Sequence, residues 1–228
     1  ETLYHLTGLR LDPYFSASKI AWILDHVDGA REQARRGHLL CGTIDAFIIW
    51  RLTKGNVCAT DITNASRTLL FDIHQRCWSE KLLQTFGIDE SMLPLVSENT
   101  GHLGEVRVKS WQANTPILAS MGDQQAALVG QGCTRPGMAK MTYGTGGFLM
   151  VNMGGSAAFK QTGLLQTIAH QVNQQCCYAI EGSLFSTGAT IRWLRDHMQM
   201  IGHEADSELY ARSVKDNGGV YLVPAFVG

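Results

Sequence analysis

The residues best suited to chemistry are a single aspartate, Asp123, and the glycine-rich segment 144–147, which follows after about one helix. A carboxylate fixed at the end of a strand can orient a substrate hydroxyl group and accept its proton. Backbone N–H groups in a glycine-rich turn can approach a phosphate, because no side chain keeps the anion away. Transfer of a phosphoryl group to a small alcohol needs both features, and the pair predicts this chemistry.

Asp123 also has a purely structural interpretation. Aspartate is a preferred N-cap residue, and most aspartates between a strand and a helix only cap that helix. Taken alone, Asp123 is therefore better explained as a cap. The neighbouring Gln124 and Gln125 favour the catalytic interpretation, because paired amides at a helix start suit the recognition of a polyol.

Other candidate ligand-binding segments have structural alternatives too. The turn 145–147 would equally suit an ordinary β-hairpin, and no Gly-Lys-Ser/Thr follows it as in a Walker motif. Segments 181–183 and 187–189 lead into a predicted helix whose N-terminus favours phosphate, although their small residues equally indicate close packing. Tyr14 could stack on a ligand or be an ordinary turn aromatic.

The composition indicates a globular protein with a small ligand. The 228 residues are 45% hydrophobic and 17% charged with a formal charge of −1, so nothing favours a nucleic-acid or anionic-membrane surface. No apolar run approaches the ~18 residues of a membrane span. The eight histidines lack metal-ligand spacing and the six cysteines lack a Cys-x-x-Cys pair, which predicts no metal site and reduced thiols in a cytoplasmic protein.

Periodicity and capping signals predict the helices. After a turn at residues 12–16, Ser16 or Ser18 would cap a helix with one apolar face, formed by Ile20, Ile23, Leu24 and Val27. The further helices are predicted within 29–37, at 45–52 (largely buried), at 79–86 (Ser79 as cap, Gly87 as stop), at 124–132 and at 188–198.

Strands are predicted at residues 39–42, 116–120 (buried, leading into Asp123), 138–153 (two strands joined through 144–147), 178–180 and 220–223. The Pro-Gly pair at 136–137 marks a turn after which the pattern changes. These elements predict an α/β protein in two lobes, divided between residues 133 and 138.

Taken together, these segments resemble the FGGY family of carbohydrate kinases, and within it the glycerol kinases. The resemblance covers nearly the whole chain and rests on residues 11–16, 42–45, 61–68, 122–131, 137–148, 179–182 and 217–226. The Thr-Asn-Ala-Ser-Arg-Thr run at 63–68 and the Gly-Asp-Gln-Gln run at 122–125 favour glycerol kinases over xylulose or gluconate kinases. The implied fold is α/β, with parts of two actin/hexokinase-type (ribonuclease H-like) ATPase lobes: residues 1–133 end the first lobe and residues 138–228 begin the second, nucleotide-binding lobe.

The resemblance also implies roles on the acceptor side. Asp123 corresponds to the catalytic base that takes the proton of a glycerol hydroxyl. Tyr14 and Gln124 correspond to residues that hold glycerol, and Phe148 to an apolar wall behind its carbon chain. The implied substrates are glycerol and ATP, used with Mg²⁺, and the implied product is glycerol 3-phosphate. We expect a cytoplasmic enzyme that is a homo-oligomer when complete.

On the nucleotide side, Thr145 and Gly146 correspond to the loop at the phosphates, and Gly188 corresponds to a further nucleotide-binding position. Arg192 takes a nucleotide-binding position at which the family commonly has glutamine. Regulation gives a further expectation. Bacterial enzymes of this family that are inhibited by fructose 1,6-bisphosphate carry a Gly- and Arg-containing loop before the catalytic strand. Residues 109–115 have Asn114 at the arginine position, so we expect insensitivity to this effector.

The chain begins without Met and stops just after a strand-like run, so we expect a piece of a longer protein whose 228 residues alone are inactive. Two alternatives stay open for the complete protein. One is a kinase for another polyol or ketose of the same family, which a substrate panel would reveal. The other is a catalytically silent binding protein on this fold, which an assay of ATP hydrolysis or transfer would distinguish.

Overall fold

The computed structural model describes residues 2–108, 114–156 and 163–226, which contain both helices and strands. The helices are α1 (Thr2–Thr7), α2 (Ser16–His26), α3 (Ala30–Arg35), α4 (Ile44–Leu52), α5 (Ile62–Ala65), α6 (Glu80–Phe86), α7 (Asp123–Gly130), α8 (Gly188–Asp196) and α9 (Asp206–Ser213), with a 3₁₀ turn at Glu90–Met92. The strands are β1 (Ala59–Asp61), β2 (Phe71–Asp72), β3 (Cys77–Trp78), β4 (Leu95–Ser97), β5 (Glu105–Val106), β6 (Thr115–Pro116), β7 (Ala139–Tyr143), β8 (Gly147–Gly154), β9 (Leu165–Val172) and β10 (Gln175–Leu184).

A four-stranded sheet has the order β7-β8-β10-β9, and β9 and β10 pair antiparallel. Strands β1 and β4 form a separate parallel pair, with Asp61 opposite Ser97. Parallel pairing places the carboxyl ends of β1 and β4 side by side, where loops that carry functional side chains commonly meet. Helix α5 follows β1 directly, so the Asp61 carboxylate lies at this end of the pair.

The chain forms two compact units, one made of Glu1–Ala139 and Val151–Glu181, the other of Lys140–Met150 and Gly182–Gly228. The first unit contains two clusters of buried apolar side chains. One lies among α2, α3 and α6, and the other packs α5 against residues of β9 and β10. The lobe boundary expected between residues 133 and 138 stays a prediction.

The predicted cap of α2 is wrong. The helix begins at Ser16, but Phe15 occupies the N-cap position and no side chain bonds to the free N–H groups. Phe15 is buried in the core and Ala17 N donates to Thr68 O at 2.9 Å, so packing and a backbone hydrogen bond fix this helix start without a capping side chain. Ala17 and Leu24 are the buried residues of α2, whereas Ile23 and Val27 of the predicted apolar face are exposed.

Helix α4 is where predicted, but it is not largely buried. Ala46 and Ile49 are its buried residues, while Ile44, Phe47, Ile48 and Trp50 are exposed among the described residues. The prediction failed because the helix is apolar on nearly all sides, and composition alone does not tell which side packs. Helices α3, α6 and α7 lie where predicted. Ser79 occupies the N-cap position of α6 but its side chain makes no capping bond, and Gly87 ends α6 in the left-handed region at φ 62°.

Several strand predictions need correction. Residues 39–42 and 220–223 carry no strand, and the predicted buried strand at 116–120 shrinks to β6 followed by a single bridge at Ala119. This segment pairs with residues 99–104, and Leu118 is 57% exposed, so a short continuous apolar run does not here mark a buried strand. The hairpin β7–β8 confirms its prediction, whereas β9 was missed.

Candidate functional site

Asp123 is the first residue of α7, and the N-cap position belongs to Gly122. Its carboxylate is exposed, and both oxygens contact the neighbouring residue: Gln124 N donates to Oδ1 at 2.8 Å and Gln124 Nε2 donates to Oδ2 at 3.2 Å. Asp123 is therefore not the N-cap residue of α7, although its carboxylate accepts one of the first N–H groups of the helix. A carboxylate at this position lies near the positive end of the helix dipole and is open to a ligand.

Gln125 has a different role from Gln124. It is 3% exposed, and its Nε2 donates to Thr167 Oγ1 at 3.3 Å. A buried amide that bonds to β9 is unavailable to a solvent-borne ligand, so the predicted pair of ligand-binding amides is reduced to Gln124. Gly122 fits closely beside it, because an added Cβ would lie 2.8 Å from Gln125 Oε1.

A second aspartate, Asp61, was not predicted from the sequence as part of the site, but its hydrogen-bond network reaches the residues before α7. Asp61 is fully buried and caps α5, accepting hydrogen bonds from Thr63 N at 2.8 Å and Asn64 N at 3.3 Å. It also accepts bonds from Asn99 Nδ2 and Ser120 Oγ, which are distant in sequence. The Asp-x-Thr-Asn spacing signals the cap. Nothing local signals the two distant partners.

Tyr14 lies on a turn of the same unit and is 70% exposed. Its N–H donates to Asp12 Oδ1 at 2.7 Å, and its ring meets the ring of Phe15 edge-on at 5.4 Å. The guanidinium of Arg67 lies 5.3 Å from the centre of the Phe15 ring and pairs with the buried Glu181 at 3.1 Å. The buried Phe15 ring therefore fixes the turn, while the Tyr14 side chain stays accessible.

The predicted nucleotide-binding residues lie together in the second unit. The turn between β7 and β8 packs on the start of α8, where Gly188 N donates to Gly144 O at 3.0 Å and Ala189 N donates to Thr145 O at 3.2 Å. Arg192, one turn further along α8, donates to Thr145 Oγ1 at 3.0 Å. The first N–H groups of α8 thus bond to the turn, which supports the close-packing interpretation of this helix start.

Two glycines allow close packing here, Gly188 between α8 and the turn and Gly146 between the turn and the end of β10. An added Cβ would lie 2.6 Å from Gly144 O at Gly188 and 2.8 Å from Leu184 O at Gly146, both far inside contact distance. Packing alone therefore requires glycine at these positions, and their predicted contact with nucleotide stays a prediction. Phe148 follows on β8 and is half-buried in the same unit.

The cysteine and histidine side chains lie outside the groups of candidate site residues described above. All six cysteines are free thiols, and burial, with a smaller contribution from Cys58, raises the pKa of Cys41 to about 11. Burial also lowers the pKa of His170. Across the described residues, no cluster of His, Cys, Asp and Glu could hold a metal ion, and no helix is long and apolar enough to cross a membrane.

The effector loop expected at residues 109–115 lies mostly outside the described residues, which resume at Asn114. Asn114 has a left-handed backbone at φ 61°, a conformation that asparagine tolerates better than most residues. The prediction of effector insensitivity therefore stays a prediction from sequence.

Comparison with known proteins gives consistent results. The FGGY family of carbohydrate kinases, N-terminal domain, matches residues 1–130. A glycerol kinase of Alteromonas mediterranea is 53% identical over 222 residues, which make up 97% of this chain and 45% of that protein. The chain thus spans a little under half the length of the curated relatives it matches.

Solved structures agree with the sequence matches. The structure of Plasmodium falciparum glycerol kinase with ADP has a TM-score of 0.94 and 37% identity, covering 100% of this chain and 46% of that one. A xylulose kinase of Lactobacillus acidophilus has a TM-score of 0.80 at 18% identity, covers 93% of this chain and 42% of that one, and shows the shared fold alone. Since the family matches more than half of the sequence, the chain belongs to the FGGY family of carbohydrate kinases.

Proposed function

We propose that the protein carrying this chain transfers the γ-phosphoryl group of ATP to a terminal hydroxyl of glycerol, giving glycerol 3-phosphate. The observation that supports this most is Asp123: an exposed carboxylate at the start of α7 that does not serve as the N-cap. The identity of 53% with a glycerol kinase supports the choice of acceptor. The likeness to a glycerol kinase solved with ADP supports the choice of donor.

In this proposal Asp123 accepts the proton of the attacking hydroxyl as the hydroxyl oxygen bonds to the γ-phosphorus. The bond from that phosphorus to the bridging β–γ oxygen breaks at the same time, and ADP leaves. Gln124 holds the carboxylate from its side, so one oxygen can turn to the alcohol without losing both contacts. Tyr14, Gln124 and Phe148 would contact glycerol. Such catalysis consists mainly of positioning and charge stabilisation, because the phosphoryl group itself needs little covalent help.

The donor side of the proposal consists of Thr145, Gly146, Gly188 and Arg192. Arg192 already bonds to the Thr145 hydroxyl at 3.0 Å, so its charge lies beside the turn that would face the phosphates. Mg²⁺ would be held mainly by the phosphates of ATP, as is usual for this ion, and would neutralise their charge. We assign no Mg²⁺ ligand in this chain. A homo-oligomeric, cytoplasmic enzyme completes the proposal.

The experiment that tests this function is a substrate panel on the complete gene product that carries this chain. With ATP and Mg²⁺, glycerol should give the highest kcat/KM, and glycerol 3-phosphate should be identified by mass spectrometry. Xylulose and gluconate, the substrates named for structural neighbours, are the comparison alcohols. A higher kcat/KM with either sugar would replace the acceptor, and absence of transfer to every alcohol would refute the kinase proposal.

A further inference from the structure

Asp61 is a fully buried carboxylate that accepts more hydrogen bonds than a helix cap requires. Oδ1 accepts from Thr63 N at 2.8 Å, Asn99 Nδ2 at 2.9 Å, Asn64 N at 3.3 Å and the Thr63 hydroxyl; Oδ2 accepts from Asn64 Nδ2 at 2.6 Å and Ser120 Oγ at 3.0 Å. In the described part of the chain, no ion pair includes Asp61. Its buried charge is therefore stabilised by this set of donors.

The first connection from Asp61 to α7 runs through Ser120. A cap needs only backbone N–H groups of its own helix, which does not explain donors from other segments. Ser120 lies three residues before Asp123 and donates its hydroxyl to Asp61. Asn99 makes two hydrogen bonds to the Ser120 backbone: Asn99 Nδ2 donates to Ser120 O at 3.0 Å, and Ser120 N donates to Asn99 O at 3.1 Å. The backbone before α7 is thus tied to the buried carboxylate.

The second connection runs through Thr63, whose hydroxyl donates to Asp61 and accepts the N–H of Gly122 at 2.9 Å. An ionised carboxylate can only accept hydrogen bonds, so the Thr63 hydroxyl must direct its proton to Asp61. This orientation leaves an oxygen lone pair for Gly122. Because Gly122 is the N-cap residue of α7, the bond fixes the point from which Asp123 projects.

We propose that Asp61 is a positioning residue for the phosphoryl transfer: through Ser120 and Thr63 it fixes residues 120–122 and so holds Asp123 in place. The inference rests on the proposed function of Asp123. A general base must lie within hydrogen-bond reach of the proton it takes, and a misplacement of about 1 Å can cost about 100-fold in rate. The buried network acts on the rate through the position of Asp123, without touching substrate.

The test variant is Thr63→Val in the complete gene product, which removes the hydroxyl and keeps the side-chain shape. We expect kcat to fall roughly 10- to 100-fold while KM for ATP is unchanged, because only the base is displaced. Thr63→Ser keeps the hydroxyl and should restore most of the wild-type kcat. Asp61→Asn should lower kcat in the same way. If Asp61→Asn does not fold, the result for Thr63→Val alone decides the test.

Thr60→Val is the matched control. Thr60 is 1% exposed on β1, next to Asp61 in sequence, and its hydroxyl donates to the Asp45 carboxylate at 2.7 Å. The control thus loses a part-buried hydroxyl–carboxylate bond. Asp45 also accepts the Asp61 N–H at 3.3 Å, but the Thr63 and Ser120 bonds that lead from Asp61 to α7 stay in place. It should lose stability but keep kcat at a temperature where it is folded.

Hydrogen exchange supplies a readout that does not need activity. In Thr63→Val the Gly122 amide should exchange faster than in the wild type, and in Thr60→Val it should not, measured by mass spectrometry on peptides covering residues 119–126. Unchanged kcat and exchange in Thr63→Val, with an active wild type, would overturn the Asp61 inference alone. A wild type that phosphorylates none of the alcohols would overturn it together with the proposed function.

Discussion

Asp61 and Asp123 are both aspartates at the start of a helix, and their surroundings suit them to different roles. Asp61 is buried, and each of its oxygens is held by donors from the protein. Asp123 is exposed, and its contacts come from the adjacent Gln124. A carboxylate whose acceptor sites are filled by the protein stabilises structure, whereas one that keeps sites open can take a proton from a ligand.

Thiol reactivity gives a prediction at the residue scale. Burial raises the pKa of Cys41 to about 11, and a raised thiol pKa means less thiolate at any lower pH. At pH 8 only about one Cys41 thiol in a thousand is then ionised, and the thiolate is the reactive form. Cys77 is exposed. Iodoacetamide should therefore label Cys77 well before Cys41, and the Cys41 rate should rise about tenfold per pH unit up to about pH 11.

Peptide mass spectrometry after timed labelling of the folded protein checks this prediction. Labelling of both thiols in urea is the control, because unfolding removes the effect of burial. Equal labelling of Cys41 and Cys77 at pH 8 in the folded protein would show that Cys41 is not buried as described.

At the scale of elements, the β7–β8 turn and the start of α8 form one closely packed assembly. The carbonyls of Gly144 and Thr145 accept the first N–H groups of the helix, which replaces a capping side chain. A Cβ at Gly188 would meet Gly144 O of the turn, and a Cβ at Gly146 would meet Leu184 O at the end of β10, so neither position has room for one. The position of the turn, and of Arg192 beside Thr145, depends on this packing.

Gly188→Ala tests the packing of the turn on α8. The added Cβ would lie 2.6 Å from Gly144 O, so a backbone must shift at a cost of about 1–3 kcal/mol. Gly130→Ala is the control, because Gly130 ends α7 with nothing within 4 Å of an added Cβ, and alanine there should stabilise by about 0.5–1 kcal/mol. Hydrogen exchange at residues 184–192 should speed up in the first variant alone. Unchanged exchange in Gly188→Ala would contradict the described packing.

Local signals predicted some elements and not others. The hairpin turn and the end of α6 were predictable, because glycine at these positions reflects backbone geometry within a few residues. Strand β9 was missed because its buried Gln166 and Thr167 are polar and interrupt any apolar pattern. Gln166 Nε2 bonds to Tyr4 and Thr167 to Ser66, and partners so distant in sequence cannot be inferred from a local window.

At the scale of the whole molecule, the fold and the family were predictable from sequence because several short motifs occur in one order along the chain. The family match over residues 1–130 and the TM-score of 0.94 confirm both. The candidate site was predictable only in part. Asp123 could be proposed from its motif, but the support that we infer from Asp61 depends on Asn99 and Ser120, which the fold brings together.

The central claim is that Asp123 is the general base of phosphoryl transfer to glycerol, and kcat of Asp123→Asn in the complete gene product tests it most directly. Asparagine keeps the size of the side chain and removes the base, so kcat should fall about 10²- to 10⁴-fold. The control is Glu80→Gln, which neutralises an exposed carboxylate at the first position of α6. Its kcat should stay near the wild-type value. A kcat for Asp123→Asn close to that of the wild type would contradict the claim.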